Sequence, residues 1–393
     1  MNFGTDNSKV RTTVKIAHLC LSNFYVDDFG YQENELIRQH VAADHDVLVI
    51  ASTETYGLDG KLTYTQPGQY IGSDGAKVIR LPYRSFLPQK VMRKLRMHPG
   101  VREELEAFNP DRILFHGTCG WELLATAAYA RAHQDVKLYI DSHEDWNNSA
   151  RGLISREILH RRYYGPILRR AESAAESVLC ISLESIDFVA DLYGVDRSRL
   201  EFFPLGGNIP DDDEYNNLRM TGRYSLGISD DEILLVQSGK QTRRKKLLDS
   251  LKAFRGNDNP RLKLVIAGVL DAEIKAEAQS YIEADDRITF LGWVDPESLT
   301  EILCAADIYL QPGTQSVTMQ QSLCCRCAVA IDDVHAHSVY VAGNGWLLDT
   351  EITVEKMLQS AANAPLKEMS VKSYELARKL LDYRQLARRI TEE

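Results

Sequence analysis

Ile233-Leu-Leu-Val-Gln-Ser-Gly-Lys-Gln-Thr-Arg-Arg-Lys-Lys246 decides how the rest of this chain is read. Its apolar start has the character of a buried parallel strand, and Ser238-Gly239 reads as a small turn closing it. Five cations follow within seven residues (Lys240, Arg243, Arg244, Lys245, Lys246), directly before the helical pattern Leu247, Leu248, Leu251, Phe254. Cations at a strand's carboxyl end, beside a helix N-terminus, make a seat for phosphate. That helix end already offers free N–H donors and a favourable dipole. A solvated basic turn is the plain alternative, and the remainder of the chain weighs between the two.

Outward from this stretch the same rhythm repeats. Downstream, strands are expected at Leu262–Ala267, Ile288–Leu291 and Ile308–Gln311, with helices at Ala272–Ile282 and Glu297–Ala306. Upstream, Val14–Leu21, Asp46–Ser52, Lys77–Leu81, Arg112–His116, Lys137–Asp141 and Ser177–Ile181 read as strands, with a helix at Gln32–Ala42. Strands alternating with helices give open, mostly parallel sheets. The Gly/Pro-rich run Phe203–Pro210, followed by the acidic Asp211–Glu214, marks the boundary between the halves. The reading is therefore α/β, with Rossmann-like domains over 1–205 and 206–371 facing a cleft. A terminal helix over 372–393 carries Leu376, Leu380, Leu381 and Leu386 on one stripe and is expected to cross back onto the N-terminal domain.

Composition excludes several classes. An apolar content of 44% and a charged content of 26% over 393 residues describe an ordinary soluble protein of two or three domains. The net charge of −10 argues against nucleic acid as a partner. No run approaches the ~20 apolar residues of a membrane span, and Met1–Arg11 holds no signal-peptide core, so a cytoplasmic protein is expected. Cys324, Cys325 and Cys327 lie on an apolar helical stretch with no partner at metal-ligand spacing, and read as buried structural thiols. The Gly-x-Gly-x-x-Gly fingerprint is absent, so neither a nicotinamide nor a flavin cofactor is implied.

Two loops of the first half stand at strand carboxyl ends, where ligands of open α/β sheets bind. In Asp141-Ser-His-Glu-Asp145, the groups Asp141, His143, Glu144 and Asp145 crowd four titratable side chains into five positions. A capped turn is the plain alternative there. Gly30, ahead of the helix at Gln32, lets backbone approach a ligand closely. Two basic runs also belong to this half. Arg80–Arg102 holds seven Arg or Lys and no acid; Arg151–Arg170 holds six Arg and one Glu. Against a solvated face, they point to an anionic membrane surface or acceptor. Pro88–Met97 mixes Val91, Met92 and Leu95 with cations, as interfacial helices do.

The order of these features resembles a GT-B glycosyltransferase of family 4 over nearly the whole chain. The resemblance rests on Gly239-Lys240 with Lys245, Ile266-Ala-Gly268, Phe290-Leu-Gly-Trp-Val294, Ala305-Ala-Asp307 and the Asn344-Gly-Trp-Leu347 turn. In the first half, Gly30-Tyr-Gln-Glu-Asn-Glu-Leu36 resembles the acceptor-side glycine loop, and His143 falls where members carry a catalytic-site histidine. The resemblance implies retaining transfer of a sugar from a nucleotide diphosphate donor to a saccharide or lipid-linked saccharide in surface polysaccharide or glycoconjugate synthesis. It implies Lys240 and Lys245 on the diphosphate, without a metal or other cofactor, and His143 beside the transferred sugar. Donor contacts would come from Gly239, Gly268, Trp293, Val294, Gly313, Thr314, Gln315, Ser316 and Gln321. Acceptor-side contacts would come from Gly30, Tyr31, Asp141, Glu144 and Asp145. One departure stands out: the family's paired glutamates align with Gly313 and Gln321, and neither residue supplies a negative charge. That departure keeps a non-catalytic nucleotide- or sugar-binding protein open as an alternative, beside a GT-B sugar epimerase.

Overall fold

The apolar runs of the first half pair as predicted into one sheet. Its strands are β1 (Lys15–Cys20), β2 (Asp46–Ser52), β5 (Gly68–Ile71), β6 (Lys77–Leu81), β7 (Arg112–Phe115), β8 (Lys137–Ser142), β9 (Ser177–Cys180) and β10 (Leu200–Phe202). A small hairpin, β3 (Glu54–Tyr56) with β4 (Leu62–Tyr64), stands apart from it. The order across the sheet is β10-β9-β8-β7-β1-β2-β6-β5, and only the β5–β6 pair is antiparallel. The central strands are apolar on both faces because helices cover both, as parallel sheets require. Leu19, Ile50, Ile113, Phe115 and Ile140 are fully buried in it, at about 1.5–3 kcal/mol each. The computed structural model describes residues 13–57, 61–314 and 316–392.

The second half builds β11 (Ile233–Gln241), β12 (Leu262–Leu270), β13 (Ile288–Gly292), β14 (Ile308–Gln311), β15 (Ala328–Asp332) and β16 (Gly345–Leu348). All are parallel, in the order β13-β12-β11-β14-β15-β16. The chain divides into two compact units, Met1–Pro204 with Leu386–Glu393, and Leu205–Gln385.

Three local expectations need correcting. Ser238-Gly239 is not a turn: β11 continues through it to Gln241, with Gly239 paired to Gly268 of β12. A Cβ on Gly268 would lie 2.0 Å from the Gly239 carbonyl oxygen, so the two strands approach there only because residue 268 is glycine. The turn comes later, at Arg243–Lys245. Asn344–Leu347 is likewise not a turn but leads into the edge strand β16. The terminal helix is two helices, Leu366–Leu380 and Tyr383–Thr391. Asp382 separates them: its carboxylate accepts the Arg384 N–H at 3.0 Å, as a helix-starting residue does. Only the segment from Leu386 belongs to the first unit, where Arg389 reaches Glu201 at 3.2 Å.

Candidate active site

The second sheet reverses its winding between β11 and β14. In a doubly wound sheet the crevice at such a reversal, outside the strand carboxyl ends, is where ligands bind. The loops after β11 and β14 are knitted together at this point. A Cβ on Gly313 would lie 2.1 Å from the Arg244 carbonyl oxygen, so only glycine allows the approach. The Thr314 N–H donates to that same carbonyl at 3.2 Å, and Lys245 Nζ donates to the Thr314 carbonyl at 2.6 Å. Burial, with Arg244 beside it, lowers the Lys245 ammonium to about 8. Lys240, at the end of β11, is largely exposed, its Nζ 3.7 Å from Asp271. Ser316 starts the helix Val317–Cys324 and donates to Gln311 Oε1 at 2.5 Å. Trp293 and Val294 follow the edge strand β13, with Trp293 72% exposed. Gln315 lies outside the described residues.

Gln321, expected at the ribose, pairs with backbone of its own unit. Its Nε2 donates to the Asn208 carbonyl at 3.2 Å and its Oε1 accepts the Asn208 N–H at 3.3 Å. It clamps the segment that enters this unit, and Gln320 is buried against Tyr340. Sequence reasoning missed Gln237, Gln241 and Gln311, all buried beneath the same loops. Gln237 donates to Gln241 at 3.3 Å and to the Lys245 carbonyl at 3.1 Å, and so supports the basic turn from below. Polar residues ending two apolar strands were the available signal.

In the first unit Asp141 lies one residue before the end of β8, buried, and accepts the Gly117 N–H at 2.7 Å. A line of three buried histidines runs from it. His116 Nδ1 lies 2.5 Å from Asp141 Oδ2, His18 bridges His116 and His40 at 2.9 Å each, and His40 Nε2 meets the Ala387 carbonyl at 3.0 Å. A carbonyl only accepts, so His40 donates from Nε2 and accepts at Nδ1 from His18. Burial first, then the neighbouring histidines, hold His18 well below its ordinary range, and burial lowers His40 to about 4, so both are neutral. His18 accepts in turn from His116 Nε2–H. Sequence reading found none of these histidines, because His18 lies inside an apolar strand, His116 just past one, and His40 among the polar residues of a helix.

His143 follows two residues on. Its Nε2 lies 3.5 Å from Asp141 Oδ1 and 4.0 Å from Glu33 Oε1, a buried first-turn acid that the sequence reading also missed. Burial alone would lower His143, but Asp141, Glu33 and Glu144 outweigh it and carry the imidazole up to about 9. Glu144 accepts from Ser142 Oγ at 2.9 Å. His143 and Glu144 open onto a cavity of about 850 Å³. Asp145 instead caps its own turn, accepting from Asn147 and Asn148 at 2.6 and 2.8 Å. Tyr31 is the residue from which the helix Gln32–Ala42 starts; burial and Tyr56 push its hydroxyl up to about 12. Gly30 is exposed, and a Cβ there would have 3.9 Å of clearance to Glu35.

Residues 32–206 match the family described as Glycosyl transferase 4-like domain, and residues 221–368 match Glycosyl transferases group 1. The chain is a glycosyltransferase of the family-4 type. This glycosyltransferase is 23% identical over 207 residues, 49% of its length, to alpha-galactosylglucosyldiacylglycerol synthase of Streptococcus pneumoniae. That match spans 54% of the relative's length. Among solved structures, WaaG, a glycosyltransferase involved in lipopolysaccharide biosynthesis, aligns with a TM-score of 0.60 at 18% identity, over 96% of this chain and 100% of its own. Sucrose-phosphate synthase from Thermosynechococcus elongatus gives 0.62 at 16%, over 96% and 97%. HepE of Anabaena, solved with UDP, gives 0.63 at 14%, over 96% and 98%. The fold of this glycosyltransferase is thus the two-domain GT-B fold. Among its described residues no helix is long and apolar enough to cross a membrane.

Proposed function

We propose that this glycosyltransferase moves a sugar from a nucleoside diphosphate donor, with retention at the anomeric carbon, to a saccharide or lipid-linked saccharide. The observation that carries the reading is the junction of Lys245 with the Gly313–Thr314 loop at the winding reversal of the second sheet. HepE, of the same fold, was solved with UDP and with UDP-glucose, which supports a nucleotide sugar as the donor.

The bond from the anomeric carbon to the diphosphate breaks as the bond to an acceptor oxygen forms on the same face. Lys240 and Lys245 offset the charge that develops on the leaving group, as a preorganised clamp and without a divalent ion. Near neutral pH His143 is an imidazolium, which donates but does not accept. It therefore orients a sugar hydroxyl, and the acceptor's proton passes to the departing diphosphate oxygen. Leu153, Ile154 and Phe86 are 71%, 77% and 64% exposed beside the basic runs, which supports a peripheral seat on an anionic membrane. Arg80 does not belong to that face: it is buried and donates to the Tyr25 and Ser52 carbonyls at 2.8 and 3.0 Å.

The test is nucleoside diphosphate release from a panel of nucleotide sugars, with and without saccharide acceptors. Acceptor-dependent release, with product anomeric protons matching the donor's configuration, is expected. Release without acceptor and without a new glycoside would favour an epimerase, and binding without release a non-catalytic protein.

A further inference from the structure

The two basic stretches of the first unit meet in one wall. The Tyr163 hydroxyl donates to the Leu95 carbonyl at 3.0 Å and Tyr164 to the Lys94 carbonyl, pinning the short helix Gln89–Leu95 to the helix Ser155–Tyr164. This wall bounds the cavity onto which His143 and Glu144 open. Lys90, Arg93, Lys94 and Arg96 line it, against the two carboxylates of Glu54 and Glu144, so cations are in surplus. Arg93 lies 3.6 Å over the Tyr64 ring, which fixes the guanidinium plane and leaves its N–H edge for a ligand. Arg93 Nε and Arg96 Nη1 are both buried without a hydrogen-bond partner. Glu54 comes no nearer to Arg96 Nη1 than 3.9 Å, a charge contact rather than a hydrogen bond. Unmade hydrogen bonds of buried cationic N–H groups are costly, and oxygen pairs of an anion are what would satisfy them. Leu62, Val91 and Leu159 add apolar wall to the same cavity.

We propose that this cavity binds an acceptor bearing a phosphate group, held by Arg93 and Arg96, with apolar chains along Leu62 and Val91. The proposal rests on the glycosyl-transfer reading above, which sets a sugar hydroxyl at His143 and so the acceptor close by. Its phosphate is that of an acylated lipid headgroup, and free phosphate is the competing source of the same chemistry.

The test is calorimetric titration of the full chain with dihexanoylphosphatidate below its micelle concentration, with the neutral dihexanoylglycerol, and with inorganic phosphate. The phosphatidate is expected to bind about tenfold or more tightly than the neutral lipid. Arg93→Gln with Arg96→Gln should weaken it by about a hundredfold, and Arg93→Lys by less, because charge is kept while the planar fork is lost. Inorganic phosphate binding weakly at the same arginines supports the lipid headgroup. Equal binding of phosphate and phosphatidate, lost in the double variant, overturns the lipid but keeps the phosphate site. Unchanged phosphatidate binding in the double variant, or equally tight binding of the neutral lipid, overturns the proposal. Melting curves of each variant separate lost binding from lost fold. Nucleotide-sugar turnover is measured on the same samples: arginine-dependent phosphate binding without any turnover sinks the transfer reading alone. Turnover onto neutral acceptors with no phosphatidate binding sinks this proposal alone.

Discussion

His143 Nε2 stands 3.5 Å from Asp141 Oδ1, within reach for a charge contact but outside hydrogen-bond geometry. That contact, with Glu33 and Glu144, outweighs burial and holds the imidazole up to about 9. An unfolded histidine titrates near ~6.5, so the folded state keeps a proton that the unfolded chain loses. The stabilisation is complete below pH 6.5 and is lost as pH rises through about 9. Denaturant unfolding of wild type and His143→Gln should therefore differ most at and below about pH 6.5, differ less with each pH unit above it, and converge above about pH 9. A difference that grows with pH would reverse the sign of this account.

The histidine line makes the opposite demand at acid pH. Burial keeps His40 down at about 4 and His18 well below its ordinary range, and does the same to His98, which lies outside the line with its Nδ1 3.1 Å from the Pro82 carbonyl and is held at about 4, so unfolding in mild acid takes up protons. Each such group removes about 1.4 kcal/mol of stability per pH unit between its unfolded and folded values. His143 does not offset this, being protonated in both states there. Stability should fall steeply from pH 6.5 to 4.5, and His40→Asn should flatten the slope. A flat profile over that range would show that these rings are not held neutral.

Gly313 and Gly30 look alike in sequence and differ in the structure. Gly313→Ala puts a methyl 2.1 Å from the Arg244 carbonyl oxygen, against backbone that cannot swing away. It should lower the melting temperature and abolish nucleotide binding. Gly30→Ala meets nothing nearer than 3.9 Å and should stay within about 0.5 kcal/mol of wild type in stability. Whether a ligand needs that space is then read directly from its acceptor KM.

Gln321→Glu removes the donor to the Asn208 carbonyl and leaves two acceptors facing it. A loss of about 1–3 kcal/mol in unfolding free energy is expected. A variant as stable as wild type, with tighter donor binding, would instead return this position to the ribose.

The fold was legible because both sheets are written in continuous apolar runs. Gln32–Ala42 and Ile308–Gln311 fall where periodicity places them. Strand ends were not legible where glycine carries the ladder on: β11 runs past Ser238-Gly239 because Gly268 leaves room beside it. The basic turn was legible from its cations, but the contacts that hold it come from Gly313 and the buried glutamines, which pair only once β14 lies beside β11. The three histidines were illegible for a related reason. His18 and His116 are single polar residues in or just after apolar runs, His40 is one polar residue among several on its helix, and only the sheet order brings β1 and β7 together.

The central claim is that the basic turn after β11 seats a diphosphate, and Lys245 tests it most directly. Its ammonium is lowered to about 8 by burial and Arg244, so a bound diphosphate should raise it again. Calorimetric titration of UDP into wild type and Lys245→Ala, at pH 7 and at pH 8.5 in buffers of differing ionisation enthalpy, measures affinity and proton uptake together. The account predicts about ten- to a hundredfold weaker binding in the variant at pH 7. It also predicts net proton uptake at pH 8.5 in wild type that the variant lacks. Equal affinity and equal proton uptake in the two proteins would contradict it, and would leave the turn a solvated loop.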